Sequence, residues 1–192
     1  MNYNINKSLP ITLVCLLGLA LFLSSCNADS DGVNKVAPKP IKRAEIIAFQ
    51  EAYGISFNAI SQAIENESYY ETAAKKHIDQ NYNFDEGKVM FKIGHNNDEP
   101  YRYTYDGILS YLIGKNKDFP KDKGIAKENW RKMKWKNDGI ISDDSDVAVV
   151  MGVVTMIKDD VEELKQNFTM CLKRNSNGDL RLIAHKIALA CR

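Results

Sequence analysis

The last third of the chain constrains the fold most. Four runs with strand character follow one another: Trp130 to Ile141, Val147 to Ile157, Glu163 to Arg174 and Leu180 to Leu189. Short turn sequences punctuate them at Asn137-Asp138-Gly139, at Ser142-Asp143-Asp144-Ser145-Asp146 and at Asn175-Ser176-Asn177-Gly178-Asp179. The helical patterns all lie upstream. Helices first and turn-linked strands last mean an α+β fold with an antiparallel sheet, not a parallel nucleotide-binding fold. The helices must then cover one face of that sheet.

Upstream, Ile46, Phe49, Tyr53, Phe57, Ile60 and Ile64 recur three and four apart, the stripe of an amphipathic helix over Ala44 to Glu65, with Gly54 its weak point. Ser68-Tyr69-Tyr70-Glu71 reads as a capping box opening a second helix to about Asn81. A turn at Phe84-Asp85-Glu86-Gly87 leads to a strand over Lys88 to Ile93. Thr104 caps a short third helix that Gly114 stops, and the lysine-rich stretch Lys115 to Gly124 reads as a solvated loop.

The N-terminus has its own logic. One positive charge, Lys7, precedes an apolar run from Leu9 to Leu23. Such a run is shorter than the roughly 20 residues of a spanning helix and has the length of a signal-peptide core. It ends in Leu23-Ser24-Ser25-Cys26, which resembles the lipobox of bacterial lipoproteins. That resemblance implies cleavage before Cys26 and acylation of its thiol. The alternatives are a secretory signal cut at Ala28 or an uncleaved membrane anchor. Residues 26–42 are polar, hold two prolines and show no periodicity, as a flexible tether does. The expected organisation is a leader over 1–25, a lipid anchor and tether over 26–42, and one domain over 43–192. The expected location is the bacterial cell envelope, on the periplasmic or extracellular face.

From Cys26 onward 167 residues remain, enough for one domain with a proper core. Only one of the 26 basic residues lies in the leader, so 25 bases face 25 acids, with no basic excess to suggest nucleic acid. Cys171 and Cys191 are the cysteines left. If Arg174 faces Leu180 across the hairpin, Cys171 faces Ile183, and Cys191 lies about 26 Å further along, which argues against a disulfide. No spacing among His77, His95, His185, Cys171 and Cys191 suits a metal, so none is expected. Asp143, Asp144 and Asp146 lack the glycine and distant glutamate of a calcium loop and read as a plain turn.

The whole pattern resembles the nuclear transport factor 2-like superfamily, in which a curved sheet wraps helices into a cone with a pocket. A closer likeness runs from about Tyr69 to Ala188. Its pieces are Tyr70-Glu71-Thr72-Ala73-Ala74, Val89-Met90-Phe91-Lys92, Tyr101-Arg102-Tyr103-Thr104, Gly107-Ile108-Leu109-Ser110-Tyr111, Asp122-Lys123-Gly124-Ile125-Ala126, Trp130, and Gly178-Asp179-Leu180-Arg181-Leu182-Ile183-Ala184-His185. In that order they resemble the iota-class, metal-free carbonic anhydrases. The resemblance implies a pocket where threonine, tyrosine and serine hydroxyls near a histidine hold bicarbonate or the attacking water. Without zinc to acidify water, such a site must aim fixed donors at developing charge. The tyrosine falls on Tyr111 and the histidine on His185. The threonine position falls on Gly94 and the serine on Ile187, so two of three hydroxyls are missing.

Removing one such donor commonly costs on the order of 10² to 10³ in rate. The sequence therefore points first to a non-catalytic module that binds a small ligand or dimerises. The second reading is a weak metal-free carbonic anhydrase acting through Tyr111 and His185. The expected pocket comprises Gly94, Arg102, Tyr111, Trp130, Ile183, His185 and Ile187, with the last three on one strand face together with Arg181. His185 is either a pocket base or donor, or a buried histidine bonded to backbone. Tyr111 has ordinary core packing as its alternative. Arg102 reads as a structural fork rather than an anion clamp, and Trp130 as a core closure. His77 and His95 read as solvated. The superfamily likeness also implies a homodimer paired through the open sheet face.

Overall fold

In the computed structural model, residues 39–94, 100–142, 145–159 and 161–190 are described. Helix α1 (Arg43–Glu65) buries Ile46, Phe49, Tyr53, Phe57 and Ile60, the stripe its spacing predicts. It runs unbroken through Gly54, where a Cβ would sit 3.4 Å from Met133. Helix α2 (Tyr70–Asn81) starts without the expected capping box: no side chain caps it. The reason is local. Glu67 takes a left-handed turn, and the Ser68 amide donates to Ala63 carbonyl at 2.8 Å to close α1. Helix α3 (Tyr105–Ile113) begins as predicted, with Thr104 Oγ1 accepting from Gly107 N at 3.1 Å, and Gly114 beyond it at φ 71°.

Strands β1 (Met90–Ile93) and β2 (Tyr101–Arg102) lie between α2 and α3 in sequence. A 3-10 turn, Ile125–Glu128, precedes the long strands β3 (Lys132–Ile141), β4 (Val147–Lys158), β5 (Val161–Arg174) and β6 (Leu180–Leu189). The six form one sheet in the order β2-β1-β6-β5-β4-β3. All neighbours are antiparallel except β1 and β6, which run parallel and are joined by the long path through β2, α3 and β3 to β5. The core fills the space between the helices and one face of this sheet, as an α+β layer arrangement requires.

Two bulges correct the strand reading. Asn137-Asp138-Gly139 is not a turn; β3 continues through it, and the register against β4 shifts between Asn137 and Gly139. Asn137 is anchored there by a two-way amide bond with Gln50 of α1, 2.8 and 2.9 Å. Gly152 across the ladder leaves room for the bulged backbone of Lys136. In β6, Arg174 does face Leu180, but Leu172 faces Leu182 and Cys171 faces Ala184, so Ile183 is the extra residue. That slip resets the alternation. Leu180, Leu182, His185 and Ile187 point to the core, and Ile183 does not share a face with His185. Cys171 is half-buried between the core residues Met170 and Leu172, so its thiol turns to the outer face, free of a disulfide. Cys191 lies outside the described residues, as do Cys26, His95, Asp143 and Asp144.

Candidate active site

The stripe of α1, the end of α3 and the inner faces of β3 to β6 meet around a small cavity. About 20 Å³ is open to the centre of a water-sized molecule, room for about one water and far too little for a cofactor. Phe57, Val154, Met156 and Ile187 make its apolar wall. Its polar groups are Tyr53, Tyr111, Trp135, Gln166 and His185.

Three nitrogens on these side chains are buried with no hydrogen-bond partner among the described residues: Trp135 Nε1, Gln166 Nε2 and His185 Nε2. Buried polar atoms are nearly always paired with protein or ordered water, so these three are free to bond whatever occupies the cavity. Tyr111 is also paired with the Gln166 side chain. Behind the cavity, Tyr82 Oη lies 3.2 Å from both Tyr53 Oη and His185 Nδ1. Phe91, 5.3 Å from the His185 ring and 5.1 Å from Tyr111, holds both rings in place.

The cavity carries no formal charge at neutral pH. Burial lowers His185 to a pKa of about 3, so its imidazole stays neutral. Burial likewise raises Tyr53 to about 12 and pushes Tyr111 and Tyr82 well above the usual phenol range. An anion formed here would meet neutral donors only.

Of the seven residues expected in the pocket, Tyr111, His185 and Ile187 line it. The other four do not. Gly94 donates its amide to Ile187 carbonyl at 2.6 Å, and a Cβ there would run into Ala188, 2.6 Å from its Cα, so no side chain fits. Arg102 is buried in an ion pair with Asp122 (2.8 Å), lies 4.0 Å over the Phe119 ring and donates to Tyr101 carbonyl. Ser110 Oγ also donates to Asp122 at 2.8 Å, so the lysine-rich loop is not wholly solvated but sends one carboxylate inward. Trp130 closes the core, its indole donating to Ile125 carbonyl at 2.8 Å. Ile183 is displaced by the β6 bulge.

His77 also departs from expectation. It is fully buried, on the inward stripe of α2 with Ala74, Ile78 and Asn81. Its Nδ1 pairs with Ser56 Oγ at 2.8 Å, and burial lowers its pKa to about 3. It packs 4.6 Å from the Tyr53 ring but does not line the cavity. Sequence reasoning missed Tyr53, Tyr82, Trp135 and Gln166. Gln166 left a signal: it is the polar member of the inward series Gln166, Phe168, Met170 and Leu172.

The sequence profile of metal-independent carbonic anhydrases matches residues 44–189. The chain belongs to that family. A metal-independent carbonic anhydrase of Nostoc sp. (strain PCC 7120) is 29% identical over 182 residues, which are 93% of this chain and 88% of the relative. A crystal structure of the iota-carbonic anhydrase from a cyanobacterium, complexed with bicarbonate, superposes with a TM-score of 0.76 at 30% identity, covering 82% of this chain and 97% of that one. At the level of fold alone, an NTF-2-like protein from Shewanella oneidensis superposes with a TM-score of 0.50 at 10% identity, over 76% of this chain and 97% of that one. The nuclear transport factor 2-like fold expected from the sequence is therefore the one adopted. In this member of the metal-independent carbonic anhydrase family, Tyr111 and His185 line the cavity together with Trp135 and Gln166.

Proposed function

We propose that this chain is a carbonic anhydrase that hydrates carbon dioxide to bicarbonate without a metal. The carrying observation is the set of nitrogens on Trp135, Gln166 and His185, unpartnered among the described residues, around one small, largely apolar cavity in a chain of this family. The sequence alone favoured a non-catalytic module because Gly94 and Ile187 replace two hydroxyls. The cavity answers that objection: the indole N–H and the amide N–H can steady developing negative charge in their place. A bicarbonate bound to the cyanobacterial relative supports the same ligand class.

The apolar wall of Phe57, Val154 and Met156 holds carbon dioxide, which has no charge to solvate. His185 Nε2, as neutral imidazole, takes a proton from the attacking water as its oxygen bonds to carbon. Charge then grows on the carbon dioxide oxygens, toward Trp135 Nε1 and Gln166 Nε2. Because those donors are neutral, they stabilise the forming anion without holding bicarbonate too tightly for release.

Stopped-flow hydration with a pH indicator and a chelator present tests this. The wild type should exceed the uncatalysed rate, and His185→Phe should lose about 10²-fold or more with its thermal transition retained. A wild type at the uncatalysed rate, or an equally active His185→Phe, sinks the proposal.

Two further expectations join this reading. The leader ending at Cys26 supports a lipid-anchored protein of the bacterial cell envelope. Cys26→Ser should shift it from the membrane fraction or leave uncut precursor; unchanged partition and mass would remove the anchor. A homodimer through the outer sheet face is supported by the exposed side chains of Ile141 and Met151 beside Val149 and Val153. Sedimentation of Met151→Lys should then report monomer; a wild type already monomeric at micromolar concentration contradicts pairing.

A further inference from the structure

The hydroxyls behind His185 have no place in the reaction as described so far. Tyr53 Oη, Tyr82 Oη and His185 Nδ1 form a line with two 3.2 Å contacts, all buried. Tyr82 is held where it stands by a backbone bridge to Leu182 and by the Asn83 amide donating to Leu182 carbonyl at 3.0 Å. Those contacts tie Tyr82 to the strand that carries His185. Around the His185 ring pack Tyr53, Tyr82 and Phe91, with Met170 opposite it in the sheet, and no carboxylate or ammonium stands among them.

Each phenol has one proton, so the line has two neutral arrangements. In one, His185 Nδ1–H donates to Tyr82, Tyr82 donates to Tyr53, and Nε2 presents a lone pair to the cavity. In the other, Tyr53 donates to Tyr82, Tyr82 donates to Nδ1, and Nε2–H is a donor to the cavity. We propose that Tyr82, backed by Tyr53, is a positioning residue that lets His185 exchange between its two neutral tautomers, base before reaction and donor after it.

This rests on the hydration reading, and the step balances. Water loses a proton to Nε2 as its oxygen bonds to carbon. The Nδ1 proton moves to Tyr82, the Tyr82 proton to Tyr53, and the Tyr53 proton to water. Bicarbonate and one proton result, and no residue becomes charged. The neutral Nε2–H now faces the new anion. Since Tyr53 and His185 line the same cavity, a water there that reaches both Oη and Nε2 would reset the line with no net proton. Burial that holds His185 at a pKa of about 3 agrees with a histidine that never works as imidazolium.

The test uses the full chain with ¹⁵N-labelled histidine, of which it has three. Both His185 nitrogens should show neutral signatures at pH 7, and saturating bicarbonate should move the balance toward Nε2–H. Tyr82→Phe should abolish that response and lower kcat about 10- to 100-fold with KM within about twofold. Tyr53→Phe, which keeps the Nδ1 contact, should fall less and covers the case in which Tyr82→Phe fails to fold. An imidazolium signature at pH 7, or an unchanged bicarbonate response in Tyr82→Phe, overturns the inference even in an active enzyme. An inactive wild type whose tautomer still answers bicarbonate through Tyr82 supports the positioning role and sinks only the reaction.

Discussion

Two buried polar clusters in this domain are built on opposite terms. Around Arg102 and Asp122, a full positive and a full negative charge are both sunk, and each is satisfied. Asp122 accepts from Arg102 Nε and Nη2 and from Ser110 Oγ, and Phe119 stacks on the guanidinium. Around His185 no group among the described residues is charged, yet three nitrogens there go without partners. A buried charge with all its bonds made is fully committed and can do nothing further without unfolding. Neutral donors left open keep a small desolvation penalty in reserve until a guest supplies the missing bonds. The first cluster braces the loop against α3; the second is where chemistry can happen.

Acid should separate them most sharply. His77 and His185 have native pKa values of about 3 against 6.5 when exposed. The unfolded chain therefore binds more protons between those limits, and stability falls as pH drops from 6.5 toward 3. Each histidine contributes on the order of 1 kcal/mol per pH unit, enough together to unfold a typical domain in mild acid. Replacing both, as His77→Gln with His185→Phe, should move the acid transition to lower pH by circular dichroism. An unmoved transition would show that the histidines are not its cause.

Next in size is the ionic cluster. Asp122→Ala strands a buried guanidinium and should destabilise the domain by about 3–5 kcal/mol, a fall of roughly 10 °C in Tm. A loss under 1 kcal/mol in urea titration would mean water reaches Arg102 readily.

Gly94→Thr comes third. By sequence alone this change, with Ile187→Ser, would restore the missing hydroxyls. Against the backbone of Ala188 it should instead destabilise by about 1–3 kcal/mol with no gain in hydration. Higher activity in Gly94→Thr would place the cavity wrongly.

The smallest effect tests a single orphan. Trp135→Phe keeps the ring packing on Tyr53 and Phe168 but removes the indole N–H. Bicarbonate affinity by NMR titration should drop about five- to tenfold, one hydrogen bond's worth, with Tm nearly unchanged. Equal affinity would exclude Trp135 from the donor set.

Periodicity and turn chemistry made much of this legible in advance. The α1 stripe, the Thr104 cap, the Gly114 stop and the four long strands follow from side-chain spacing and backbone preference, which are local properties. The likeness carried by Tyr111 and His185 led to the right family and to two residues of the cavity. Ile183 misled because a bulge flips every later side chain, and nothing in Arg181-Leu182-Ile183-Ala184 announces one. Arg102 and Asp122 are twenty residues apart, and their pairing depends on how β2 meets the loop.

What the sequence determined by itself was the order of elements, the α+β class and the neutrality of charge, because each is written in residue type and spacing. Which polar groups converge was decided only by the tertiary structure. Tyr53, Trp135, Gln166 and His185 come from four separate elements, α1, β3, β5 and β6. Their meeting depends on sheet register and on the packing of α1 across it, and those are settled by the burial of the whole core rather than by any neighbour in the chain.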